Sequence, residues 1–225
     1  MCFSAEASFV SAGILVPASI FALKKSVHME HNYWVFAMFP VIFGLQQSLE
    51  GGVWLFLKVD SHLLQFFTLS FLFFAMFFWP VWLPLSGYLT ERTHSRRRLF
   101  FWLTIVGFIF GVSLYLPLLL EPERVSVSVV NLSIDYTVVT IYNAIVSLRT
   151  VTLVYAVIVL LPLLLSSDRD HKILGILIAI AGFVSWTFFD LVFVSVWCYF
   201  AAVISAYIIY LILRPTPGIR KSPGE

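Results

Sequence analysis

Between Ile173 and Leu213 the chain runs for 41 residues with a single charged side chain, Asp190. A helix of about 20 apolar residues crosses the hydrocarbon core of a bilayer, so this stretch holds two spans joined by a tight turn. Such a segment constrains the rest of the fold, because backbone polar groups in lipid must be satisfied inside helices or a closed barrel. Similar runs recur along the chain. Spans are predicted from about Ala5 or Ser8 to Leu23, Tyr33 to Leu57, Leu63 to Leu89, Leu99 to Leu120 and Val139 to Leu165. The long run is then split into a sixth span ending near Phe189 and a seventh starting near Val194. Hydrophobic residues make up 60% of the chain, charged residues 12%, and the mean hydropathy is +0.96. A soluble domain carries roughly 25% charged residues. The expectation is an all-α membrane protein: one seven-helix transmembrane domain over 1–213, followed by a flexible cytoplasmic tail at 214–225.

Orientation follows from where the basic residues fall. MCFSAE at the start has no Lys or Arg, so it lacks the basic region of a cleaved signal peptide. With the N-terminus outside, the inner loops hold Lys24, Lys25, Arg92, Arg96, Arg97, Arg98, Arg169, Lys172, Arg214, Arg220 and Lys221. The outer loops hold only Lys58 and Arg124, and Arg149 falls inside the fifth span. Eleven against two places the C-terminus in the cytoplasm. The net charge of +2 is spread over short loops, which excludes a nucleic-acid-binding domain. Between spans four and five, EPERVSVSVVNLSIDYTV (121–138) alternates Val with Ser, the period-two pattern of a short outer hairpin or flap.

Polar residues inside the spans are the candidates for function. FGLQQSLEGGVWLFL (43–57) carries Gln46, Gln47 and Glu50 at spacings of three and four, one helical face, and Trp54 continues it one turn on. The orientation puts these residues in the outer leaflet, together with Asn143, Arg149, Asp190, Trp197 and Cys198. Glu50 and Arg149 are opposite charges within spans and are expected to pair; the competing reading is an ion pair or hydrogen-bond cluster that only orders helices. Glu6 reads as a solvated or capping residue. Pro80 and Pro84 in WPVWLP should break or kink the third span and free backbone carbonyls. Cys2 and Cys198 both face the outer side, where a disulfide, a pair of separate thiols, or a thiol used for soft-metal binding or catalysis are all open.

Much is excluded. The seventh span has no lysine for a retinal Schiff base, and no histidine lies at membrane depth for a bundle zinc or haem centre. HMEH (28–31) reads as a solvated loop, and no nucleotide-binding, hydrolase or zinc-protease motif occurs, so no metal site is assigned. The phenylalanines of span three could line a lipid pocket, although helix packing and lipid contact account for them.

MCFSAEASF (1–9), FGLQQSLEGGVW (43–54), WPVWLPL (79–85) and SVWCYFAA (195–202) together resemble a family of bacterial integral-membrane proteins of unknown function. Its members open with MCFSA and carry QQxxEG and SVWC motifs. The resemblance implies a small multi-span inner-membrane protein, and its marked positions map to Cys2, Ser4, Gln46, Gln47, Glu50, Trp54, Trp79, Pro80, Trp197 and Cys198. Histidines frequent in that family's loop before span five are missing from Asn131 to Tyr136 here, which weakens any metal site completed by the loop.

Three functions fit these observations. The leading one is a binding, sensing or transport module for a small polar or amphipathic ligand. Gln46, Gln47 and Glu50 would supply polar contacts, Arg149 the counter-charge, and Trp54 and Trp197 the walls. The second is a membrane enzyme of thiol-redox or metal type using Cys2, Cys198 and Glu50. The third is a scaffold or assembly factor without a ligand.

Overall fold

The computed structural model describes residues 4–27, 33–58, 61–130, 132–142, 146–189 and 192–214. Cys2, HMEH, Asn131, Asn143, Asp190 and the tail beyond Arg214 lie outside the described residues. Helices α1 (Ala5–Ser26) and α2 (Tyr33–Phe56) come first. Helix α3 (Ser61–Leu72), a π-helical segment (Phe73–Phe78) and α4 (Trp79–Thr90) form one continuous rod. Then follow α5 (His94–Leu120), a 3-10 turn (Pro122–Arg124), strands β1 (Val125–Val130) and β2 (Ser133–Val138), and helices α6 (Leu148–Leu164), α7 (Arg169–Phe188) and α8 (Phe193–Leu213). Counting α3 to α4 as one rod gives seven helices among the described residues.

Five of them, α1, the α3–α4 rod, α5, α7 and α8, are long and apolar enough to cross a membrane. Their outward faces support that reading: Ile14, Phe21, Trp102, Ile109 and Phe183 are all more than half exposed. A bundle that leaves large apolar side chains outside is matched to hydrocarbon rather than water. Helix α6 is a shorter apolar helix of 17 residues. Helix α2 has 24 residues, about 36 Å of helix at 1.5 Å per residue, and it packs against α1, α3, α4 and α8. It is the central element, and two glycines admit its neighbours. A Cβ on Gly51 would lie 2.8 Å from the Phe9 ring of α1, and one on Gly52 would lie 2.4 Å from the Phe67 ring of α3.

Two span boundaries differ from expectation. The fifth helix begins at Leu148 rather than near Val139, because Ser147 is its N-cap and accepts a hydrogen bond from the Thr150 amide at 3.3 Å. Arg149 therefore sits in the first turn of α6, exposed, and not within a span. The fourth helix begins earlier, at His94, so the basic stretch is largely helical and the connection is only residues 91–93. Glu91 makes this tight turn. Its Oε1 accepts from the amides of Arg92 and Thr93, both at 2.9 Å, and its two oxygens accept from Ser167 Oγ at 2.5 Å and the Ser167 amide at 2.8 Å. The α4–α5 and α6–α7 turns are thereby tied together. At the same end, Arg214 pairs with Asp170 at 2.7 Å, and Lys25 Nζ donates to the Leu213 carbonyl at 3.2 Å.

The prolines of the third span do not break the rod. In the π segment the Trp79 amide donates to the Phe74 carbonyl, five residues back. The next bond in that register would reach from residue 80 to Ala75, but Pro80 has no N–H. Tyr155 of α6 replaces it, its hydroxyl donating to the Ala75 carbonyl at 2.6 Å. Pro84 likewise leaves the Pro80 carbonyl without an intrahelical donor, and α5 approaches that oxygen at Gly107, where a Cβ would fall 1.9 Å away.

The alternating Val/Ser stretch forms an antiparallel hairpin, with Val125 opposite Val138 and Val130 opposite Ser133. Leu132 in its two-residue turn has φ 62°. Ile134 and Tyr136 face the bundle and are buried, and Tyr136 stacks on Phe71 with centroids 4.8 Å apart. The hairpin is thus docked onto the rod, packed with Val53, Leu72, Ala75 and Leu118.

Candidate functional site

The candidate residues of α2 and α8 meet because the helices run antiparallel and each presents polar groups one turn apart. Gln46 and Glu50 lie four apart on α2; Ser195 and Cys198 lie three apart on α8. Gln46 Nε2 donates to Cys198 Sγ at 3.3 Å, and Ser195 Oγ donates to Glu50 Oε1 at 2.5 Å. Gln47 Nε2 reaches the other Glu50 oxygen at 3.3 Å. Gln46 Oε1 accepts from Trp79 Nε1 at 2.7 Å, which carries the network into α4. Gln46, Gln47 and Glu50 are all fully buried. Gln47 Oε1 and Trp54 Nε1 have no hydrogen-bond partner among the described residues.

A cavity of about 640 Å³ lies beside this network, beneath the hairpin. Its walls come from β2, the π segment, α5, the first turns of α6, the end of α7 and the start of α8. Arg149, Trp197 and Cys198 line it, whereas Gln46, Gln47, Glu50 and Trp54 do not. The residues picked out from the sequence thus divide into two groups, a buried hydrogen-bonded cluster and a cavity wall. Cys198 belongs to both: its sulfur accepts from Gln46 behind the wall while the side chain faces the cavity.

The expected Glu50–Arg149 ion pair is not among the described contacts. Glu50 accepts from Gln47 and Ser195, and Arg149 lies on the exposed first turn of α6. Cys198 carries a free thiol, and its other expected partner, Cys2, lies outside the described residues. Among the described residues, no group of three or more His, Cys, Asp and Glu is arranged to hold a metal ion.

Some wall residues were not anticipated. Tyr155 and Asp135 line the cavity, as do Trp186 and Phe193. Ser195 stands three residues before Cys198 in SVWC, so helical spacing alone would have found it. Asp135 was hidden in a surface hairpin, and the role of Tyr155 depends on the π register of another helix. On the inner wall, Tyr155 Oη donates to the Ala75 carbonyl, and Trp197 Nε1 donates to the Ile178 carbonyl at 3.2 Å. The walls are mainly apolar, and Ser147 and Arg149 at the start of α6 are among their polar residues.

Pockets of roughly 300–1,000 Å³ with mainly apolar walls and a few placed polar groups are the usual form of small-molecule sites. This site sits in an apolar helical bundle, with a β-hairpin on one side of the cavity. The chain belongs to a family of unknown function (DUF6629), whose profile matches residues 1–222. No curated protein and no solved structure matches the chain.

Proposed function

We propose that this is a multi-pass protein of a bacterial inner membrane that binds a small amphipathic molecule in the cavity beneath its hairpin, as a sensing or transport module. Seven helices would cross the bilayer, with the N-terminus and hairpin outside and the C-terminus in the cytoplasm. Supporting this orientation, the turns carrying Arg92, Arg169 and Arg214 are joined at one end by the Glu91–Ser167 and Arg214–Asp170 contacts. The observation that carries the binding reading is the cavity itself: about 640 Å³, mainly apolar, with Arg149 at the start of α6 in its wall. Arg149, Trp197 and Cys198 are its contact residues. The Gln46–Glu50 cluster fixes α8 against α2, so that Trp197 and Cys198 keep their place in the wall.

Cys198 gives a direct test. In a Cys2→Ser chain, modification of Cys198 by methyl methanethiosulfonate should slow several-fold when a single-chain lysophospholipid is added in mild detergent. Labelling at an unchanged rate would refute occupancy of the cavity. A second reading, a thiol enzyme using Cys2 with Cys198, is favoured by the free Cys198 thiol on the wall. It requires that Cys2→Ser abolish turnover while leaving the unfolding temperature intact.

A further inference from the structure

We infer that the ligand is a single-chain amphiphile with an anionic head, held with that head on Arg149 and its apolar body among the buried wall residues; this rests on the cavity being a ligand site. Helix α6 lines the cavity with Leu148, Val151, Thr152 and Tyr155, a spacing of three and four that keeps to one helical face. Leu148 and Arg149 at its start are exposed, whereas Val151 is buried and Thr152 and Tyr155 are half-buried. From Arg149 to Tyr155 the helix rises about 9 Å. A cation thus stands at the exposed end of a wall that runs into the bundle.

The sign of the head follows from the charge in the wall. Among the described residues, Arg149 and Asp135 are those of formal charge that line the cavity. Asp135 stands between Ile134 and Tyr136, both buried against the bundle, so strand alternation turns its carboxylate to the other face of the hairpin. There it accepts from Thr137 Oγ1 at 2.9 Å, on its exposed neighbour two residues along. Arg149 makes no ion pair among the described residues, so its guanidinium is available to a ligand. The helix end reinforces it. Ser147 engages the Thr150 and Val151 amides, while those of Leu148 and Arg149 have no acceptor among the described residues and add the positive end of the helix dipole. Carboxylates and phosphates both match a guanidinium through paired hydrogen bonds. A cationic head would be repelled here, and the ammonium of a zwitterion would find no carboxylate facing it. Further in, Ala75, Leu114, Ile134, Val151 and Val192 are buried apolar wall residues. A charged head placed among them would lose its hydration, whereas an apolar chain gains by leaving water. A cavity of about 640 Å³ has the size that encloses one drug-sized molecule, which suits a single chain.

The test uses the full chain in a neutral detergent and reads its tryptophan fluorescence, to which Trp186 and Trp197 in the wall contribute. The anionic probes are a fatty acid and lysophosphatidylglycerol, whose relative affinities tell a carboxylate head from a phosphate. Zwitterionic lysophosphatidylcholine and an alkylamine of the same chain length are the comparisons, with glycerol phosphate as a bare head group. The tighter of the two anionic probes should bind about tenfold more tightly than either comparison, and far more tightly than glycerol phosphate. Arg149→Gln should bring it down to the affinity of lysophosphatidylcholine, and Arg149→Lys should keep part of the preference. Arg149 is exposed, so the unfolding temperatures of both variants should match the native chain. Equal or tighter binding of lysophosphatidylcholine or the amine, glycerol phosphate binding as tightly as the lipid, or a preference that survives Arg149→Gln would overturn the assignment. If none of the amphiphiles binds, or if binding persists when Val194→Trp fills the cavity, the site reading itself fails.

Discussion

Glu91→Ala should separate the two turns at the basic end of the bundle. The carboxylate accepts four hydrogen bonds, from the Arg92, Thr93 and Ser167 amides and from Ser167 Oγ, while only 6% exposed. Bonds to a charged group contribute about 1.5–3 kcal/mol each, but the amides released here lie near water and rehydrate, so the net loss should be about 2–3 kcal/mol. For a chain of this size each kcal/mol lowers Tm by about 2–4 °C, which gives a fall of about 4–12 °C in detergent. The pH dependence identifies the cause. Burial pushes the Glu91 carboxyl up, but the bonds from Ser167 Oγ and the three backbone amides outweigh it and hold the carboxyl below the usual glutamate range. A carboxylate with a depressed folded pKa contributes its full stabilisation above the unfolded value, about 4.3, and loses it as pH falls through the folded value. The difference between native and variant Tm should therefore be full at pH 7 and shrink below about pH 4. Glu91→Gln should already lose much of the stability at pH 7. A gap that persists at acid pH, or a glutamine variant as stable as the native chain at neutral pH, would refute this account.

Tyr155→Phe should cost about 1–3 kcal/mol, because the Ala75 carbonyl would lose the donor that replaces Pro80; faster amide exchange confined to the π segment would locate the loss. Gly107→Ala should cost about 3 kcal/mol, since the new Cβ would meet the Pro80 carbonyl, a backbone atom that cannot swing aside. A variant with native Tm would show that α5 and the rod are not in close contact there. Glu50→Gln should lower stability by about 1–2 kcal/mol by disturbing the bonds from Ser195 and Gln47 that hold α8 against α2. Lost affinity with native stability would instead make Glu50 a ligand group.

The helices were legible because each long apolar run admits little else in lipid, and the Val/Ser alternation announced the hairpin in the same way. The break in the 41-residue run came close to where the structure separates α7 from α8. Misplacements had local causes. Val139 to Val146 is apolar enough to pass for helix, but Ser147 caps α6 and moves Arg149 to the helix end. Charge alone suggested a Glu50–Arg149 pair; the alternative partner, Ser195, is a neutral residue that hydropathy does not mark. Helical spacing did bring Gln46 and Glu50 onto one face, but it could not show that this face packs against α8 rather than opening to the cavity. The π register and its repair by Tyr155 are tertiary effects, set by which helix lies beside Ala75.

The most direct test of the account is native mass spectrometry of the full chain released from bilayers in mild detergent, beside the Val194→Trp chain. The native protein should retain one small amphiphile, and the cavity-filled protein, folded to a similar Tm, should fly without it. A native chain that carries no adduct, or an adduct retained equally by both chains, would contradict the claim that the cavity beneath the hairpin is a binding site.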